Sequence, residues 1–152
     1  MRRRKMVLLV EDDHVDAITV KRALEDAGAT SLLIHVTNGE SALAYLRSDV
    51  NQRPHLILLD LNMPKMNGLD FLQAIKADPA LAAIPVVVLT TSVSREDISD
   101  SFRSSVAGYI TKPVDYTQFV AKIQAVEQYW QINRLPGDEW EVYDAGRSQF
   151  VG

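Results

Sequence analysis

Cysteine is absent from the 152-residue chain, so it has no disulfide framework, no thiolate metal site and no cysteine nucleophile. That fits a reducing compartment. Long apolar runs are missing too: none approaches the ~20 residues that a transmembrane helix needs. The opening Met1-Arg2-Arg3-Arg4-Lys5 has the charge of a signal-peptide start. The apolar run behind it, however, is shorter than the ~7–15 residues of a signal core, and it closes on Glu11-Asp12-Asp13. A cytoplasmic chain with no membrane partner is expected, residues 1–5 being a solvated basic tip. Positive charge is not in excess: 16 Lys and Arg face 20 Asp and Glu, for a net charge of −4 and a pI near 5.3. A surface acidic on balance does not attract a nucleic-acid backbone, so no nucleic-acid partner is expected. There is no Gly-x-x-x-x-Gly-Lys-Ser/Thr loop, which leaves a nucleotide-hydrolysing P-loop domain unsupported. What is present is ordinary globular material, 47% apolar and 24% charged in 17.0 kDa. That suits one domain with its own core.

Short apolar runs alternate with helical patterns. Met6–Val10 has strand length and ends in acid; from Val15 onward Ala17, Val20, Leu24 and Ala27 fall three or four apart, a helical stripe ended by Gly28. Leu32–Val36 is the next run, and Asn38 supplies a helix cap ahead of Ala42, Leu43 and Leu46. A third run, Leu56–Leu59, ends on Asp60, and residues 61–68 read as a loop before a helix bearing Leu69, Leu72 and Ile75. Val86–Leu89 is a β-branched strand, and Ser94 with Asp97 caps a helix that places Ile98 and Phe102 one turn apart. Gly108–Thr111 is a fifth run, broken by Lys112-Pro113, and a final helix carries Phe119, Ile123, Val126 and Trp130. Five unbroken apolar runs, each followed by an amphipathic helix, predict an α/β domain. Its architecture is a doubly wound five-stranded parallel sheet with helices on both faces, a flavodoxin-like arrangement.

In such sheets the ligand site lies outside the carboxyl ends of the strands. Asp12-Asp13, Asp60, Thr90 and Lys112 end four of the five runs, so they gather at one edge. Three crowded carboxylates repel one another unless a cation compensates. An oxygen-only donor set points to a hard divalent ion, Mg²⁺ or alternatively Mn²⁺. Metal, hydroxyl and lysine around a carboxylate suit phosphoryl transfer, with that carboxylate as nucleophile. Singly, each residue reads equally as a solvated strand-end group. Their convergence is what carries the chemistry.

The segments Leu9-Val10-Glu11-Asp12-Asp13, Leu58-Leu59-Asp60-Leu61-Asn62-Met63-Pro64, Val88-Leu89-Thr90-Thr91-Ser92 and Tyr109-Ile110-Thr111-Lys112-Pro113 resemble the receiver domain of two-component response regulators. The resemblance covers roughly residues 6–130 and sets a receiver unit at 6–132 with a tail at 133–152. It implies that Asp60 accepts a phosphoryl group from a histidine kinase, and that Asp12 and Asp13 form the acidic pocket. The Mg²⁺ ligands it implies are Asp13, Asp60 and the backbone carbonyl of Asn62, beside Asp12. It makes Thr90 the switch hydroxyl, Lys112 the lysine that pairs with the phosphoryl group, and Tyr109 the switch aromatic. Pro113 falls where the family often has a cis bond. Thr91 departs from the small residue common there, which bears on the rate of access to Asp60. A signalling protein with slow autophosphatase activity is implied, not an enzyme in the ordinary sense.

Two other readings use the same nucleophile: a Mg²⁺-dependent phosphohydrolase and a phosphorelay shuttle. The first wants an acid two residues after Asp60, where this chain has Asn62. About twenty residues follow Trp130, too few for an output domain, so protein–protein contacts are expected to carry the signal. Tyr129-Trp130, Leu135-Pro136 and the Leu-Thr-Thr-Ser after the fourth strand resemble regulators of phytochrome-type kinases. Such a kinase and a second copy of the chain are therefore the expected partners. The interface candidates are Tyr109, Phe119, Tyr129 and Trp130; Trp140, Tyr143 and Phe150 give the tail an aromatic content of its own. His14 is expected at the surface, and His35 and His55 are expected to be structural.

Overall fold

A computed structural model describes residues 5–28, 31–139 and 149–150. The chain runs β1 Met6–Val10, α1 His14–Asp26, β2 Leu32–Val36, α2 Gly39–Arg47, β3 Leu56–Leu59, α3 Gly68–Ala77, β4 Val86–Thr90, α4 Arg95–Arg103, β5 Gly108–Thr111 and α5 Tyr116–Ile132. A 3₁₀ turn, Pro136–Glu139, and a two-residue strand β6, Gln149–Phe150, follow. The sheet order is β5-β4-β3-β1-β2-β6, every pair parallel. The five expected strands are all there, and β6 adds a sixth along the edge of β2. Trp140 and Tyr143 lie outside the described residues.

The unbroken apolar runs have the expected cause. Every residue of β1 to β4 is buried, and alternate residues serve opposite faces. Leu8, Val10, Ile57, Leu59, Val86 and Val88 pack with α2 and α3 through Leu43, Phe71 and Ile75. Val7, Leu9, Leu58, Val87 and Leu89 pack with α1 and α5 through Val20, Phe119 and Ile123. Each helix starts on a side-chain cap: Asp13, Asn38, Asn67, Ser94 and Asp115 accept backbone N–H bonds from the first turn of α1 to α5 in order. Gly28, φ 69°, takes the left-handed conformation after α1.

Three local expectations change. Phe102 is 52% exposed, because α4 turns Ser101 inward, where its Oγ donates to the Asp97 carbonyl at 2.7 Å. In α5 it is Glu127, not Val126, that is fully covered, accepting from Ser31 Oγ at 3.2 Å and Gln131 Nε2 at 2.5 Å. Lys5 is not a solvated tip. Its ammonium donates to the carbonyls of Trp130 at 2.5 Å and Asn133 at 3.1 Å, closing the C-terminal end of α5. Residues 1–4 are outside the described part.

The strand order reverses between β1 and β3: the chain moves outward to β2 on one side and through β3, β4 and β5 on the other. The crevice at that switch point is where a ligand is received. Gly68 sets its floor. Its N–H donates to the Leu61 carbonyl at 2.9 Å, and a Cβ there would lie 2.5 Å from the Asp60 carbonyl oxygen and from Leu61 Cα. Both are backbone atoms that cannot swing aside. Gly68→Ala is expected to cost about 1–3 kcal/mol, as overpacking does, and to displace the loop carrying Asp60 and Asn62. Urea midpoints would show the cost, and a parental midpoint would mean that α3 can slide.

Candidate functional site

Glu11 directly follows β1, its N–H donating to the Val36 carbonyl at 3.0 Å. Asp60 directly follows β3, its N–H donating to the Val10 carbonyl at 3.0 Å. The sheet ladder therefore extends one residue into the crevice and carries both carboxylates there, buried. Asp12 is the third. One carboxylate oxygen from each of Glu11, Asp12 and Asp60 lies within 4.8 Å of the others. Asn62 N–H donates to Asp60 Oδ1 at 3.3 Å, keeping the Asn62 backbone beside the cluster.

The acid pair is thus displaced by one residue from the sequence expectation. Asp13 does not join the cluster. It is exposed, and its Oδ1 accepts from the amides of Val15 at 2.8 Å and Asp16 at 3.1 Å. Its own N–H donates to Glu11 Oε2 at 3.3 Å. A carboxylate at the residue before a helix finds the orphan amides of the first turn nearer than any ion. Glu11 is masked in the sequence by the two acids that follow it.

The opposite wall is Lys112. The ladder reaches it as well, Lys112 N–H donating to the Thr90 carbonyl at 2.7 Å. Its ammonium, 5% exposed, contacts Glu11 Oε1, Asp16 Oδ2 at 2.8 Å and Asp60 Oδ2 at 3.7 Å. Asp16, one turn into α1, is a member that sequence reasoning missed; only its helical spacing from Asp12 could have signalled it. Burial pushes the Glu11 carboxyl up to about 8, with the Lys112 ammonium pulling the other way and Asp60 adding to the rise. Burial alone would lower Lys112, but Glu11, Asp16 and Asp60 outweigh it and raise its pKa. Both shifts come from one setting, a carboxylate cluster and an ammonium buried face to face.

Thr90, at the end of β4, is fully buried; its Oγ1 accepts from Ser92 N–H at 3.3 Å and Asn62 Nδ2 at 3.4 Å. Tyr109 is half-buried and its hydroxyl donates to the Ser92 carbonyl at 2.9 Å. Ser92 thus ties the two expected switch residues to one peptide segment. Thr91 is exposed at the mouth. No peptide bond among the described residues is cis, so Lys112–Pro113 is trans, contrary to expectation. His14 is exposed at the start of α1; His35 Nε2 bonds the Glu11 carbonyl at 2.7 Å and His55 Nδ1 accepts from Met6 N–H at 3.0 Å, both structural as expected.

Of the interface candidates, Phe119 and Trp130 are core residues, 5% and 6% exposed. They face α1 and the sheet because α5 is docked through them, so they drop out as surface contacts. Tyr129 is exposed against the Trp130 ring, and with Tyr109 it borders a groove of about 520 Å³ between β5 and α5.

The response regulator receiver domain model matches residues 7–124. The chain belongs to the response regulator receiver family. Its relatives include the response regulator Rcp1 of Synechocystis, 38% identical over 83% of this chain and 88% of Rcp1. Another is the probable methanogenesis regulatory protein FilR2 of Methanothrix harundinacea, 38% identical over 87% of this chain and 88% of FilR2. Among solved structures, the phosphorylated cyanobacterial phytochrome response regulator RcpA superposes with a TM-score of 0.83. It is 39% identical and covers 88% of this chain and 99% of RcpA. The Mn²⁺-bound form of Rcp1 gives the same TM-score at 38% identity, covering 87% of this chain and 99% of Rcp1. The receiver, its parallel sheet and the likeness to phytochrome-associated regulators are as the sequence led us to expect. No helix among the described residues is long and apolar enough to cross a membrane.

Proposed function

We propose that this receiver, residues 6–132 with Lys5 and Leu135 packed onto it, is a phosphoacceptor signalling protein of the cytoplasm. Asp60 takes the phosphoryl group from a histidine kinase, of phytochrome type on the likeness to Rcp1 and RcpA, and protein contacts carry the output. One observation carries this reading: the Asp60 carboxylate lies between two further acids and the Lys112 ammonium at the sheet's switch point. The donor set fits Mg²⁺, with Mn²⁺ able to replace it: carboxylate oxygens of Glu11, Asp12 and Asp60, and the nearby Asn62 carbonyl. When bound, the ion offsets charge developing on the phosphoryl oxygens.

The chain's own groups do the rest. An Asp60 oxygen attacks phosphorus, the phosphohistidine nitrogen departs with its bonding pair, and the aspartyl phosphate remains. Lys112 donates to one phosphoryl oxygen. Thr90 rotates to donate to another, which costs Ser92 N–H its acceptor. The Ser92 segment then shifts, and with it the carbonyl that holds the Tyr109 hydroxyl. Tyr109 and Tyr129 face the groove beside α5, through which a second copy or a target would respond. Asn62 does not favour a phosphohydrolase, since its amide donates to Thr90 and supplies no general acid.

Incubation with a phosphorylated histidine kinase should label the chain in Mg²⁺ and not in EDTA. Metal-independent labelling would sink the reading. A second expectation separates the two neighbouring acids. Mg²⁺ should raise the melting temperature of the parent, because it binds only the assembled pocket. Asp12→Ala should erase that response. Asp13→Ala should keep it while losing about 1 kcal/mol of stability, the usual worth of an N-cap. The reverse pattern would restore Asp13 as the ligand.

A further inference from the structure

Helix α1 sends one charged group into the crevice. Asp16 Oδ2 stands 2.8 Å from Lys112 Nζ, nearer than Asp60 Oδ2 at 3.7 Å. Both side chains spring from held backbone. Asp16 has its backbone N–H bonded to the Asp13 cap, and Lys112 is held by the ladder bond to Thr90. Glu11 Oε1 takes another of the ammonium's donors.

An ammonium carries three N–H donors in a fixed tetrahedral spread and no acceptor. Once two are bonded to oxygens whose positions are set, the direction of the third is set too. Here it is left for the side of the pocket where Asp60 lies. We infer that Asp16 is a positioning residue: with Glu11 it fixes the Lys112 ammonium so that its remaining donor faces the group received on Asp60. This rests on the phosphoacceptor reading above.

The lysine stem has several rotatable bonds. With Glu11 as its only other hydrogen-bonding anchor among the described residues, the ammonium could turn about that contact and leave the phosphoryl oxygen unserved. Asp16 is partly open to solvent, 34% for its side chain, so its charge is screened and its geometry is what matters. It also occupies the first turn of α1, where any acid is favourable to the helix. A structural role of that kind predicts a change in stability alone.

The substitutions Asp16→Asn and Asp16→Ala separate these roles, since both remove the charge and only Asn keeps an oxygen that Lys112 can bond. Beryllofluoride with Mg²⁺ is the probe, measured beside Mg²⁺ alone. Asp16→Ala should weaken beryllofluoride binding by about ten-fold, the scale of one hydrogen bond lost, and should move Mg²⁺ binding much less. Asp16→Asn should keep beryllofluoride affinity close to the parent's. A second readout needs neither metal nor phosphate analogue: the ¹⁵N signal of the Lys112 ammonium should be sharp in the parent and Asp16→Asn, and broadened in Asp16→Ala. If Asp16→Ala binds and resonates as the parent does, or if Asp16→Asn fails equally, Asp16 does not position Lys112. Failure of the parent itself to bind beryllofluoride would instead overturn the phosphoacceptor reading, and the ammonium signal would still decide the tether.

Discussion

Asp60→Asn is expected to reduce labelling by a phosphorylated kinase at least about 1000-fold, the order seen when an enzyme loses its nucleophile. An amide oxygen carries no full negative charge, and the phosphoryl group has no other acceptor in the crevice with the right surroundings. Glu11 and Asp12 belong to the same cluster, but Glu11 is already bonded to the Lys112 ammonium, which approaches Asp60 at 3.7 Å without a hydrogen bond. Asn is isosteric and can still accept from Asn62 N–H, a bond of 3.3 Å in the parent. The fold should therefore survive, and removing one of three crowded anions relieves repulsion. Circular dichroism and a thermal melt should show a folded protein at least as stable as the parent in the absence of metal. Label retained by that folded variant would move the phosphoacceptor elsewhere. Loss of label together with loss of fold would be uninformative, so Asp60→Glu offers a second variant: it lengthens the side chain, keeps the charge, and should also transfer poorly.

The sheet and the strand-end residues were legible because one physical rule wrote both. A parallel strand covered on two faces carries few polar residues until it leaves the sheet, so the apolar run of β3 stops at Asp60, where the crevice begins. The half-buried edge strand β5 ends the same way, at Lys112. The same rule misled at β1. Glu11 follows Val10 immediately and lies in the crevice, but three acids in a row hid which of them pointed inward. Only the α1 cap distinguishes Asp13, and a cap needs the helix start to be known to the residue. Phe119 and Trp130 stayed open between core and interface for a related reason. Spacing by three and four shows that Phe119 and Trp130 share a face, yet it does not say whether that face meets the sheet or a partner. Asp16 and Glu127 were invisible because their value lies in long-range partners, Lys112 and Ser31, that no local pattern encodes. The β6 pairing is of the same kind, joining residues more than a hundred positions apart.

Lys112→Met should give the largest change in stability, and its size should depend on pH. The parent buries this ammonium against Glu11, with Asp16 and Asp60 beside it. Removing the cation strands two buried carboxyl groups, a loss of about 3–5 kcal/mol when both are ionised and no metal is present. Protonation softens the loss. Glu11 in the parent is pushed by burial from 4.5 up to about 8, although Lys112 opposes that rise. Without Lys112 the Glu11 carboxyl rises further. A carboxyl raised by folding takes up a proton as the chain folds. Its contribution is complete below about 4.5 and is lost as the pH climbs through the folded value. Below the parent's folded value of about 8 the two curves should run parallel, and the variant should fall away above it, by up to about 1.4 kcal/mol per pH unit for one proton. Burial lowers His35, so its contribution is lost in the opposite direction, as the pH falls below its ordinary value. That group is present in both proteins and largely cancels in the difference. Urea unfolding of parent and variant at a series of pH values, without divalent cations, measures the effect. Curves that stay parallel above about pH 8 would mean that Lys112 does not hold the Glu11 carboxyl down.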